Sequence, residues 1–231
     1  THGVRRHDVR GGALTLRNTL PHMPAGVHLA VVDPEVGKER RAIAVRVADD
    51  RLLVGPDNGL LSLAAERLGG VVEAVDIGRS DWRLEPVSAT FHGRDIFAPV
   101  AAHLAMGSPL GDAGDPCDPD ELVQLELPRP RFENGEVVAH VLAVDRFGNL
   151  QLDVIHDELS GSGLRLGHRL ELESGADRYQ AHYAVTFADV PGGELLVYED
   201  AYRTLAIAVN RGSAAELLGA DRDGEVRIRP A

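Results

Sequence analysis

"GSPLGDAGDPCDPDELVQLELPRPRFENG", Gly107 to Gly135, divides this chain of 231 residues. Its Pro, Gly and Asp content punctuates secondary structure rather than continuing it, so the stretch reads as a linker. The patterns on its two sides differ. Before it, short apolar runs alternate with helical ones. After it come short runs rich in Val, Ile, Leu and Tyr. The expected boundary lies near residue 130, giving one domain over residues 1–128 and another over 129–231.

On the N-terminal side, Val9, Leu14, Leu16 and Leu20 recur at helical spacing over residues 8–20, and Pro21 ends the run. "GVHLAVVD", Gly26–Asp33, reads as a buried strand stopping at Asp33. "AIAVRVA", Ala42–Ala48, and "LLVG", Leu52–Gly55, read as two more, the latter closed by a Pro-Asp-Asn-Gly turn. A helix over "LLSLAAERLGG" ends at glycine, and "VVEAVDI" is another strand. "SATFHGRDIFAPVAAHLA" predicts a helix over Asp95–Met106, with Asp95 as N-cap and Pro99 in the first turn. Strands alternating with helices predict an α/β domain with a mostly parallel sheet.

On the C-terminal side, expected strands cover Glu136–Val144, Leu150–Val154, Arg169–Leu172, Gln180–Val185, Leu195–Tyr198, Leu205–Val209 and Val226–Ile228. One short helix falls at Ser213–Leu218. Closely spaced strands separated by turns predict an all-β, barrel-like domain.

Composition narrows the partners. The formal charge is −12, from 36 acidic and 24 basic residues. That argues against a nucleic-acid backbone, whose binding depends on clustered Lys and Arg. No run approaches the ~18–20 apolar residues of a membrane span, and no signal peptide is visible. The single cysteine, Cys117 in a loop-like "GDPCDPD", excludes an internal disulfide and a multi-cysteine metal site. Sparing cysteine use suits a cytoplasmic protein.

Four segments carry candidate chemistry. A carboxylate directly after an apolar run, Asp33 in "VVDPEVGKERR", needs a partner, and Arg40 follows across a Pro/Gly loop. This pair reads equally well as a brace for the loop. "VGPDNGLL" is a turn, or a backbone-lined pocket wall. In "TFHGRD", His92 is a plausible base near neutral pH, or an ordinary loop histidine. "VDRFGNLQLD" combines Asp145, Phe147 and Asn149: an aromatic and an amide that could stack on and hydrogen-bond a purine, or a hairpin with a core Phe.

In order, "VVDPEVGKERR", "VGPDNGLL", "TFHGRDIFAPVAAHLA", "DRFGN" and "IAVNRGSAAELLG" resemble the S-adenosylmethionine hydroxide adenosyltransferase family, formerly a domain of unknown function (DUF62) and related to fluorinases and chlorinases. The resemblance implies hydrolysis of S-adenosylmethionine to adenosine and L-methionine, with no metal or organic cofactor. It implies a homotrimer, with substrate between the N-terminal domain of one subunit and the C-terminal domain of its neighbour. It places a catalytic set at Asp33, Arg40 and His92. Substrate binding would fall to Gly93, Asp145, Phe147 and Asn149, and to the backbone around Val209–Arg211, including Val209 and Arg211. The halogenating relatives carry a tyrosine and a halide-binding serine where His92 and Gly93 stand here. Halogenation, forming 5′-halo-5′-deoxyadenosine, is therefore the alternative activity, and silent adenosine binding a third reading. Two departures stand out. In "EDAYRTL", Ala201 replaces the family's serine and Tyr202 follows, so Tyr202 joins the binding residues. The family's opening strand, with its ribose-binding aspartate, would precede Thr1.

Overall fold

The computed structural model describes residues 3–231 and divides into two compact units between Leu125 and Glu126. In the first, helix α1 (Val9–Thr19) starts where the Asp8 carboxylate accepts from the Gly11 N–H at 2.9 Å. Then follow β1 (Val27–Leu29), β2 (Ala42–Val47), β3 (Leu52–Pro56), α2 (Ser62–Arg67), β4 (Val71–Asp76), α3 (Ala98–Ala105) and β5 (Asp115–Cys117). The strand order is β1-β3-β2-β4-β5.

This sheet is mixed, which corrects the expectation of a mostly parallel one. Only β1 and β3 pair in parallel; the β3–β2, β2–β4 and β4–β5 pairs are antiparallel. The reason lies between Val47 and Leu52. Four residues cannot make the long crossover a parallel pair needs, so β2 and β3 form a hairpin. Apolar side chains bury on both faces: Ala42, Ala44, Val54, Phe97 and Val100 in one cluster, Ile43, Val45, Leu53, Leu60 and Ala64 in the other.

The Gly107–Gly135 stretch is not a free linker. Leu110, Ala113 and Leu122 are buried, and β5 within it pairs with β4. Cys117 is in that strand, half-buried, rather than in a loop, and burial pushes its thiol pKa up. Sparse apolar residues at wide spacing gave no periodic signal here.

The second unit contains β6 (Arg131–Glu133), β7 (Glu136–Val144), β8 (Leu150–Ile155), β9 (Arg169–Ser174), β10 (Asp177–Tyr183), β11 (Leu195–Glu199), β12 (Thr204–Val209), α4 (Ala214–Leu218) and β13 (Glu225–Pro230). Seven strands close a ring, β7-β8-β12-β11-β10-β9-β13, by the β13–β7 pairing, and β6 extends β7 as a hairpin. Alternate residues fill the barrel: Val137, Ala139 and Val141 from β7, Leu150, Leu152 and Val154 from β8, Leu205, Ile207 and Val209 from β12. Closure removes the exposed edges that an open sheet would leave.

Candidate active site

The chain leaves β1 at Leu29, and β3 guides it toward Asp33. Gly55 permits this, because a Cβ there would stand 2.4 Å from the Ala30 carbonyl oxygen. The Asn58 amide then donates to the Val32 carbonyl at 2.9 Å, one residue before Asp33. Asp57, itself buried, accepts from Arg41 Nε at 2.9 Å and from the Val123 N–H at 2.9 Å. The Pro-Asp-Asn-Gly turn therefore clamps both ends of the loop that carries Asp33 and Arg40. The sequence singled out this turn but not the two side chains that do the clamping.

Asp33 and Arg40 form a buried ion pair, their side chains 6% and 5% exposed. Arg40 Nε donates to both carboxylate oxygens at 3.1 Å, and Nη2 donates to Oδ2 as well. This forked contact uses the planar geometry of guanidinium and carboxylate. Phe97 supports the guanidinium from beneath, 5.2 Å from carbon to ring centroid.

Arg40 Nη2 lies 3.0 Å from His92 Nδ1. Arginine only donates, so Nδ1 accepts, and the hydrogen of the neutral ring sits on Nε2. Burial and the neighbouring Arg40 guanidinium depress the His92 pKa below its ordinary 6.5, against the opposing pull of Asp33 and Asp95. At neutral pH His92 is uncharged. The structure thus brings Asp33, Arg40 and His92 into one cluster, although His92 stands 52 residues from Arg40.

His92 opens a π-helical turn, Gly93–Phe97, that runs into α3. Such turns are rare and recur at functional sites. Asp95 is not the N-cap of α3, as the sequence suggested. Its carboxylate faces back along the chain, accepting from the Ser88 N–H at 2.9 Å and from Arg94 Nε at 2.6 Å. Those bonds hold the Asp95 pKa below the usual carboxylate range. The wide turn lets Ile96 and Phe97 reach the core while His92 stays at the cluster.

Gly37 fixes the spacing of the two loops. It has φ +80°, and a Cβ there would lie 2.6 Å from the Ala89 carbonyl oxygen. Gly37→Ala is expected to cost about 1–3 kcal/mol through the left-handed backbone and the clash. It should also lower kcat more than it raises KM, because Arg40 and His92 lose register. Thermal melting and steady-state kinetics read the two effects separately. By contrast, a Cβ on Gly93 would meet only Val31 Cγ1, at 3.9 Å.

The second unit holds the remaining candidates. Asp145 Oδ1 accepts from the Phe147 and Asn149 N–H groups at 2.7 and 3.0 Å, and Oδ2 from the Asn149 amide at 2.9 Å. Phe147 is left 64% exposed, with the Arg146 guanidinium 4.9 Å from its ring. So Phe147 is not the core residue of a plain hairpin. The adjoining loop is that of Val209 and Arg211: the Ala215 N–H donates to the Gly148 carbonyl at 3.0 Å, and a Cβ on Gly148 would strike Ser213. Val209 is buried, and Arg211 takes φ +62°.

Tyr202 sits on a turn held by Asp200, whose carboxylate accepts from the Tyr202 N–H at 2.8 Å and the Thr204 hydroxyl at 2.9 Å. Tyr198 senses both acidic turns: burial, then Asp145 and Asp200, push its hydroxyl pKa up to about 12. Asp200 and Tyr198 were not singled out from the sequence; Asp200 closes the turn between β11 and β12, and Tyr198 lies on β11. Among the described residues, no group of three or more His, Cys, Asp or Glu side chains is arranged to hold a metal ion.

The model of the SAM hydroxide adenosyltransferase N-terminal domain matches residues 1–114, and that of the C-terminal domain matches residues 139–227. The chain belongs to the SAM hydroxide adenosyltransferase family. Among family relatives, the (R)-S-adenosyl-L-methionine hydrolase of Salinispora tropica is 52% identical over 99% of this chain and 84% of its own length. The crystal structure of an uncharacterized conserved protein from Thermotoga maritima superposes with a TM-score of 0.91 at 38% identity, covering 99% of this chain and 87% of that one. The fluorinase of Actinoplanes sp. is more distant, at 26% identity over 93% of this chain and 80% of its own length.

Proposed function

We propose that this protein hydrolyses S-adenosyl-L-methionine to adenosine and L-methionine by attack of water or hydroxide on the ribose C5′. The observation that carries the reading is the Asp33–Arg40–His92 cluster, in a family whose near relatives are named as hydrolases of this substrate. Those names specify the (R) sulfonium, and the same epimer is the substrate proposed here.

The chemistry balances without a cofactor. The water oxygen forms a bond to C5′. The C5′–S bond breaks with its electron pair on sulfur, and methionine leaves as a neutral thioether that needs no general acid. The protonated alcohol so formed loses its proton to solvent. What the protein must supply is placement of the oxygen in line with the C5′–S bond and stabilisation of hydroxide-like character. Arg40, locked by Asp33, provides positive charge and sets the His92 tautomer. His92 then presents Nε2–H, which makes no hydrogen bond among the described residues, as the donor that holds the oxygen. Asp33 disfavours a halide at the same point by charge repulsion.

Turnover in isotopically heavy water tests this. Heavy oxygen must appear in adenosine and not in methionine; label in methionine would overturn the mechanism. Supplied fluoride or chloride should yield no 5′-halo-5′-deoxyadenosine. Gly93→Ser has room for its side chain and should fold with its melting temperature within about 2 °C of the parent. It should still fail to halogenate, because Asp33 remains.

The proposal extends to assembly and setting: a cytoplasmic homotrimer, with S-adenosyl-L-methionine as small-molecule partner and no metal requirement. The triad lies in the first unit and the aromatic–amide loop in the second, so neighbouring subunits can complete each other's sites. Sedimentation should give three times the mass of one chain. Mixing inactive His92→Ala and Asn149→Ala chains should restore part of the turnover, and chelators should leave it unchanged.

A further inference from the structure

A cavity of about 580 Å³ reaches the cluster from the side of Arg40 and His92. Eight of its eleven lining residues are ionisable, so its wall favours water over an apolar guest. Lys38, Glu39, Arg79 and Asp115 are exposed and form its rim. Arg40, His92 and Ile96 form its floor. Asp33 does not line it; that carboxylate faces a separate cavity walled by Leu29, Val31 and Leu60. Neither Lys38 nor Arg79 makes a salt bridge among the described residues.

We infer that this charged funnel is the route by which the nucleophilic water reaches His92 from bulk solvent while substrate is bound. The inference rests on the hydrolase reading. In-line displacement at C5′ requires the oxygen to arrive opposite the departing sulfur. A substrate covering its own face of the cluster also seals that face against water, so each turnover needs a second entrance. The funnel meets His92, the group assigned to hold the oxygen, and Arg40, which sets its tautomer and supplies positive charge. It is a poor substrate subsite: among the described residues its apolar lining is Ile96 and Ala42, and no Phe, Tyr or Trp side chain walls it for a purine. The same path returns the proton released from the new alcohol to solvent.

A reversible plug tests the route. Cys117, the single native cysteine, is replaced by alanine, and Arg79→Cys then places one exposed thiol at the rim. Methanethiosulfonate reagents with methyl, benzyl and larger groups add to it as disulfides and are removed by reduction, so one folded enzyme serves as its own control. The expected result is a graded loss of kcat, about tenfold or more for the largest adduct, with KM held within about twofold. Reduction should restore turnover. Indifference of kcat to every adduct would overturn the route. So would a rise in KM at constant kcat, which would make the cavity part of substrate binding. If the unlabelled variant and the parent chain both leave S-adenosyl-L-methionine intact, the hydrolase reading falls and the route with it.

Discussion

Asp33→Asn is expected to lower kcat by ~10²–10³, the usual loss when an electrostatic group aimed at developing negative charge is misplaced. The asparagine keeps the size of the side chain and removes its charge. Arg40 then keeps a full positive charge, 5% exposed, with no carboxylate across from it. Removing one partner of a buried pair typically costs about 3–5 kcal/mol, because the survivor has lost its compensation. The guanidinium is expected to turn away from His92 toward water, and the 3.0 Å contact to Nδ1 goes with it. Binding should suffer less than turnover, since the aromatic–amide loop with Phe147 and Asn149 lies in the other unit. Isothermal titration with substrate and single-turnover kinetics separate the two. Arg40→Lys checks the geometry: it keeps the positive charge beside Asp33 but not the fork, so it should fold well and be slow. A fast Asp33→Asn enzyme would remove the ion pair from the mechanism and leave it as a brace for the loop.

Much of this architecture is legible in the sequence where apolar runs are bounded by turn residues. Glu136–Val144 is an apolar run interrupted by His140, and its limits match the observed strand; Val137, Ala139 and Val141 bury in the barrel core, and Val138 and Leu142 on the other face are buried too. Direction is harder to read. Strands near helices suggested parallel pairing, yet the four residues between Val47 and Leu52 already demanded a hairpin. Asp95 shows a different limit. An acidic residue ahead of a helical run reads as an N-cap, but its carboxylate is taken by Ser88, seven residues back, and the helix opens through a π turn that has no local signature. The Asp33–Arg40 pair was visible because seven residues with a glycine can fold back on themselves. The Asp57–Val123 bond, 66 residues apart, was not. His92 joined the pair only through the family resemblance, since nothing in "TFHGRD" points to Arg40.

His92→Ala should reduce kcat by ~10²–10⁴, the range for removing a residue that handles the reacting proton or its oxygen. The more informative variant is His92→Gln. If His92 serves as a fixed hydrogen-bond relay, accepting from Arg40 and donating from the far nitrogen, a glutamine amide offers both functions and should recover part of the loss. If His92 must itself carry a proton away, glutamine should be as slow as alanine. The pH profile gives a second reading. Burial and Arg40 hold the His92 pKa below 6.5, so the ring is neutral at pH 7. As pH falls through that depressed value, the ring gains a proton on Nδ1, loses its acceptor for Arg40, and faces a second positive charge. Turnover should stay level from pH 7 down past 6.5 and then fall with the slope of one proton. In His92→Gln that acidic limb should vanish, because no group at this position titrates there. An acidic limb that persists unchanged in His92→Gln would assign the titration to another group and withdraw the relay.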